Sequence, residues 1–141
     1  MRVKKNNSLK SFPLESVEQQ HVFAWARMCE GRWPVLKWLV HVPNGGLRNM
    51  PEAVRFKAEG VRRGFPDIIL CAPRRGFTGL AIEMKRQKGA QSRVSTEQKD
   101  WLEFLGSEGW CGNVCYGADE AIALIEWYVS EKTGAAEKVG G

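Results

Sequence analysis

GVRRGFPDIILCAPRRGFTGLAIEMK, residues 60–85, decides the fold. An acid, Asp67, opens an apolar run to Ala72, and a basic turn from Pro73 to Gly79 follows. A second apolar run, Leu80 to Ile82, then ends in Glu83-Met84-Lys85. Two apolar runs joined by a Pro/Gly turn predict a β-hairpin. Alternation along a strand puts Glu83 and Lys85 on one face and Ile82 and Met84 on the other. A turn centred on Arg75 sets Asp67 opposite Glu83, with Cβ atoms about 4.5–5.5 Å apart. Two carboxylates and an ammonium then meet at one end of a buried hairpin. Charges sit there only when something pairs them. A hard divalent cation, which takes oxygen ligands, is the simplest partner for two adjacent carboxylates.

The chain around this hairpin has 141 residues, enough for one domain with a workable core. Hydrophobic residues at 43% and charged residues at 26% exclude a disordered or fibrous chain. No apolar stretch approaches the roughly 18 residues of a membrane span. The N-terminus lacks the apolar centre of a signal peptide, so a cytoplasmic protein is expected. Cys29, Cys71, Cys111 and Cys115 form no CxxC pair and read as buried thiols rather than disulfides or zinc ligands. Charge is uneven. Residues 1–47 carry seven basic and three acidic side chains, 48–99 twelve and five, and 100–141 two and eight. Clustered Lys and Arg around the hairpin fit a phosphate-binding surface as well as they fit a plain solvated face.

Three segments divide the chain: a basic, mobile N-terminus over 1–14, a domain over 15–129, and a frayed tail over 130–141. Ser16-Val-Glu-Gln19 has capping-box spacing and predicts a helix from there to about Glu30. Glu18, Val22, Trp25 and Cys29 line its apolar face, which turns Glu18 inward. Leu36 to Val42 predicts a strand, ended by Pro43-Asn44-Gly-Gly46. Asn44 can hold a backbone against a phosphate or simply reverse the chain. His41 reads as a packed or hydrogen-bonded histidine. Asn49 caps a short helix to about Glu59.

After the hairpin, the polar segment from Arg86 to Val94 reads as mobile and able to close over a ligand. Ser95-Thr-Glu-Gln98 is a second capping box, opening a helix to about Ser107. Trp110 to Tyr116 is a strand, and Ala118 to about Val129 a last helix. The order α-β-α-β-β-α-β-α predicts an α/β sandwich with a four-stranded mixed sheet flanked by helices. No glycine-rich nucleotide loop occurs, so no nucleotide cofactor is expected.

Hydrolysing a phosphodiester requires charge neutralisation on the phosphoryl oxygens, an activated water and a stabilised leaving oxygen. Carboxylate-held Mg²⁺ supplies all three. Asp67 and Glu83 are candidate ligands, with the Met84 backbone carbonyl as a third and Glu18 completing the set. Lys85 can position the water or offset phosphate charge, and Gln98 can orient the water or hold Lys85. Arg62, Arg63, Arg74, Arg75, Arg86 and Lys88 are candidate phosphate contacts. A structural ion pair between Lys85 and either acid is the plainer alternative.

Gly60 to Ile68, with Ile82-Glu-Met-Lys85, Ser95-Thr-Glu-Gln98 and the upstream Pro43-Asn-Gly45, resembles the VRR-Nuc domain of the PD-(D/E)xK nuclease superfamily. The likeness covers about residues 15–128. It implies a restriction-endonuclease-like core and DNA cleavage dependent on Mg²⁺ or Mn²⁺. It implies Glu18, Asp67 and Glu83 as metal ligands, with Lys85 and Gln98 in catalytic support. Small members of this kind are similar to phage-encoded homodimers that act on branched DNA such as Holliday junctions. Symmetric cuts in two strands need two active sites, and a small core holds one. The competing readings are a DNA-binding module without catalysis, a nuclease for flaps, single strands or RNA, and a protein-interaction subunit.

Overall fold

The computed structural model describes residues 12–43, 49–90 and 92–131. In chain order, α1 spans Glu15–Cys29, a 3₁₀ helix Pro34–Trp38, β1 Val40–His41, α2 Met50–Ala58 and β2 Ile68–Leu70. β3 spans Leu80–Lys85, α3 Thr96–Ser107, β4 Cys111–Tyr116 and α4 Ala118–Val129. The sheet runs β1-β2-β3-β4, antiparallel except for the parallel β3–β4 pair. The expected four-stranded mixed sheet and its helical flanks are therefore present. No described helix is long and apolar enough to cross a membrane.

Odd and even residues of the hairpin face different layers. Ile68, Leu70, Leu80, Ile82 and Met84 pack with Val22 and Ala26 of α1 and Ile125 and Tyr128 of α4. Ile69 and Ala81 pack with Leu105 of α3 in a smaller second cluster. All six residues of β3 are buried, as a central strand covered on both faces must be. Burying each Ile or Leu contributes about 1.5–3 kcal/mol, so the pattern that fixes the register also supplies much of the stability.

The hairpin closes where the sequence places it. Arg74 and Phe77 exchange backbone hydrogen bonds of 3.2 and 2.8 Å around Arg75 and Gly76. Both central residues have positive φ, 50° and 80°, the type I′ geometry that matches strand twist. Gly64 settles the basic loop before β2. Its φ is +84°, and a Cβ there would lie 2.5 Å from the Glu97 carbonyl carbon. The loop backbone thus rests directly on the first turn of α3.

Several local expectations are corrected. Leu36 to Val42 is strand only at Val40–His41. Pro34 suits the first turn of a short helix, and Leu36 and Leu39 are both buried while Trp38 is 73% exposed. A spacing of three, not alternation, sets that burial, as 3₁₀ geometry demands. α1 starts one residue before Ser16, with Leu14 as its uncapped N-cap, so the first capping box does not form. Arg86 and Gln87 are hydrogen-bonded to the start of α1 and the chain before it, so this end of the 86–94 segment is tied down rather than loose. Cys71 is exposed and Cys29 half-buried, while Cys111 and Cys115 are buried; all four are free thiols. Asn44 and most of the two terminal segments lie outside the described residues.

Candidate active site

Asp67 immediately precedes β2, and the pairing of Ile68 with Ile82, carried one residue further, faces it with Glu83. Asp67 Oδ2 accepts the Met84 N–H at 2.8 Å. The Asp67 carbonyl accepts from Val42 N and from His41 Nδ1, each at 2.8 Å, so Nδ1 carries the ring proton. His41 is thus the hydrogen-bonded histidine expected from the sequence.

Glu83 is 2% exposed. Its Oε1 accepts Gln98 Nε2 at 2.7 Å and lies 3.5 Å from Lys85 Nζ. Its Oε2 is buried with no hydrogen-bond partner. The second capping box is what aims Gln98. Ser95 Oγ accepts the Gln98 N–H at 3.1 Å, and Gln98 Oε1 accepts the Ser95 N–H at 2.9 Å. With its oxygen committed, the Gln98 amide must present its NH₂ to Glu83.

Burial, and then the facing Asp67 carboxylate, push Glu83 up to about 8, with Lys85 opposing. Burial raises Asp67 as well, against the pull of the Met84 N–H. A third acid belongs to the same field. Glu15, in the first turn of α1, is raised by burial, lowered by Lys85 and raised again by Asp67. Its charge also contributes to the rise of Glu83. Three carboxyls therefore share one ammonium, and an ion pair with Lys85 cannot neutralise them all.

Glu15 is the acid that sequence reasoning passed over. It stands seven residues before the fully buried Val22, on the same stripe as Glu18. Starting the helix at Ser16 left it outside the pattern. Glu18 is 2% exposed, but its oxygens face elsewhere: Oε1 accepts Gln87 Nε2 at 2.7 Å and Oε2 accepts the Ala118 N–H at 2.5 Å.

Among the described residues, no group of three or more His, Cys, Asp and Glu stands close enough together to hold a metal ion. The pocket nevertheless fits a hard divalent cation. Its donors are all oxygens, one buried carboxylate oxygen is orphaned, and two carboxyls abut with raised proton affinity.

The expected phosphate contacts divide. Arg62 and Arg63 are exposed on the loop beside the pocket, where the Arg63 carbonyl accepts Trp101 Nε1 at 3.0 Å. Lys88 is exposed, with Nζ 5.7 Å from the Tyr116 ring centroid. Arg74 and Arg75 lie at the hairpin tip, the opposite end of β3 from Lys85. Arg74 Nη1 donates to the Pro73 carbonyl at 2.8 Å. Arg75 donates to the Trp127 carbonyl at 2.6 Å, pairs with Glu131 at 3.0 Å and covers the Trp127 ring at 4.4 Å. It satisfies the C-terminal end of α4. Arg86 donates to the carbonyls of Phe12 and Pro13.

Comparison with known proteins identifies the family. The VRR-NUC domain family model matches residues 4–119. A solved structure described as a VRR_NUC domain protein is 30% identical with a TM-score of 0.72, over 86% of this chain and 93% of that one. No curated protein matches. A four-stranded mixed sheet flanked by helices and a family match over most of the chain lead to one assignment: the chain belongs to the VRR-NUC family of the PD-(D/E)xK nuclease superfamily.

Proposed function

We propose that the protein is a divalent-metal-dependent DNA endonuclease that hydrolyses phosphodiester bonds in branched DNA, such as Holliday junctions, as a homodimer in the cytoplasm. The excess of carboxyls over Lys85, with Glu83 fully buried, carries this reading. Asp67 and Glu83, with Glu15 beside them and the Met84 carbonyl between, would hold Mg²⁺ or Mn²⁺. The bound ion would neutralise phosphoryl charge and acidify water. Lys85 stands at the Glu83 carboxylate, where it offsets phosphate charge and orients the attacking water. Gln98 fixes the Glu83 carboxylate through its capped amide. Arg62, Arg63 and Lys88 supply phosphate contacts on the exposed rim.

Branched substrates and dimerisation rest on the family likeness and on the need for paired cuts. Flaps, single strands and RNA are the alternatives within the same chemistry. Glu83→Ala tests the whole reading on labelled duplex, flap, splayed and four-way substrates in Mg²⁺ and Mn²⁺. Cleavage is expected to vanish while binding persists. Joint loss of binding and cleavage would make Glu83 structural, and an unmutated protein that binds but yields no product in either metal would be a binding module.

A further inference from the structure

The two residues directly after Lys85 hold the start of α1 on either side of Glu15, an acid whose charge interacts with Lys85 and Asp67. Arg86 Nη2 and Nε donate to the carbonyls of Phe12, at 2.7 Å, and Pro13, at 3.1 Å, in the chain just before α1. Gln87 Nε2 donates to Glu18 Oε1, one turn after Glu15. Glu18 Oε2 accepts the N–H of Ala118, the first residue of α4. That helix has no side-chain cap of its own, because its N-cap is Gly117. A buried carboxylate is well placed there, against the positive end of the helix.

The junction has no slack. Gly117 has φ +86°, and a Cβ on it would stand 2.9 Å from Gln87 Cγ and 3.5 Å from Glu18 Oε2. Its N–H also donates to the Lys85 carbonyl at 2.9 Å. The end of β3, the start of α4 and the first turns of α1 therefore meet at one buried carboxylate. Both Glu18 oxygens are committed, whereas Glu15 answers electrostatically to Lys85 and Asp67.

We infer that Glu18, Arg86 and Gln87 are positioning residues: they form a clasp that sets Glu15 against the Asp67–Glu83 pair and so completes the divalent-cation site. This rests on the metal-dependent reading above and divides the two acids of α1 by role. Glu15 faces the pocket. Glu18 holds the helix that carries it.

Mn²⁺ affinity, read by electron paramagnetic resonance on the whole protein, tests the division. Circular dichroism checks folding, and fluorescence anisotropy with four-way DNA in Ca²⁺ checks binding. Glu15→Gln, Glu18→Leu and Gln87→Ala should each weaken Mn²⁺ binding by about tenfold or more, the usual cost of disturbing ligands or their supports. DNA affinity should stay near that of the unmutated protein. Glu18→Gln should retain most of the Mn²⁺ affinity. Its side-chain oxygen still accepts the Ala118 N–H, and Gln87 can turn its own oxygen toward the new NH₂.

Equal losses in Glu18→Gln and Glu18→Leu would overturn the inference by making Glu18 itself a ligand. So would unmutated Mn²⁺ affinity in a folded Gln87→Ala protein. Should Glu18→Leu fail to fold, Gln87→Ala, which shortens an exposed side chain, decides alone. Failure of the unmutated protein to bind Mn²⁺ is a separate result, and it sinks the metal-dependent reading and the clasp together.

Discussion

Replacing Glu83 with glutamine should stabilise the metal-free protein at alkaline pH while destroying cleavage. The folded state holds the Glu83 proton up to about pH 8, against an ordinary value of 4.5. Below pH 4.5 both folded and unfolded chains are protonated at this group, and the stabilisation is complete. As pH rises, the unfolded chain releases its proton first. Stability then falls by up to about 1.4 kcal/mol per pH unit until the folded group also ionises. The facing Asp67 carboxylate contributes to the rise of Glu83, so the loss belongs to the pair rather than to Glu83 alone. Over the window from 4.5 to about 8 it reaches several kcal/mol.

The Glu83→Gln substitution removes that window. The new amide oxygen still accepts from Gln98, and an uncharged NH₂ takes the place of the unpartnered Oε2. For a chain of this length 1 kcal/mol moves Tm by roughly 3–5 °C. The gap in Tm between Glu83→Gln and the unmutated protein should therefore open by roughly 10–20 °C between pH 5 and pH 8 in chelator. Differential scanning calorimetry across that range reads it, and subtracting the two proteins cancels the titrating groups that do not interact with Glu83. Saturating Mg²⁺ or Mn²⁺ should close the gap at pH 8, because a cation replaces the proton. A pH-independent difference between the two proteins would refute the raised proton affinity of Glu83, and with it the electrostatic case for a cation.

Gly64→Ala should destabilise by about 2–4 kcal/mol in urea, since positive φ and the contact with α3 are both violated. It should also cut the cleavage rate, because the displaced turn carries Gln98. Arg75→Ala should cost about 1–2 kcal/mol through the lost α4 cap while leaving DNA affinity and its salt dependence unchanged. A weaker complex with a shallower salt slope would instead put the hairpin tip on the substrate. Arg63→Ala should weaken binding to every DNA structure alike and lower the salt slope by about one, as a phosphate contact does.

The hairpin register was legible in the sequence because the alternation of buried residues fixes phase; the turn alone does not, since its Arg74–Phe77 pair is one residue out of step with the Ile68–Ile82 ladder. Gln98 was legible because a capping box is a local pattern, written within four residues. The arginines were not. Charge clustering reports that Arg62, Arg63, Arg74, Arg75 and Arg86 are near in sequence. Only the fold reveals that Arg75 reaches a carbonyl 52 residues away and Arg86 one 74 residues away.

The two acids of α1 show the sharpest limit, because a helical stripe gives Glu15 and Glu18 the same phase. Periodicity says that both turn inward; it says nothing about which end of the stripe meets a charge and which meets a helix terminus. Position along the axis decides that, and the clasp after Lys85 sets the position. On the clasp proposal, buried Glu18 supports the site and half-buried Glu15, one turn earlier, enters it. The same logic explains why the pocket tolerates so much negative charge. The chain commits Glu18 to a helix dipole and leaves Asp67, Glu83 and Glu15 with a single lysine, a deficit that only a bound cation or a retained proton can fill.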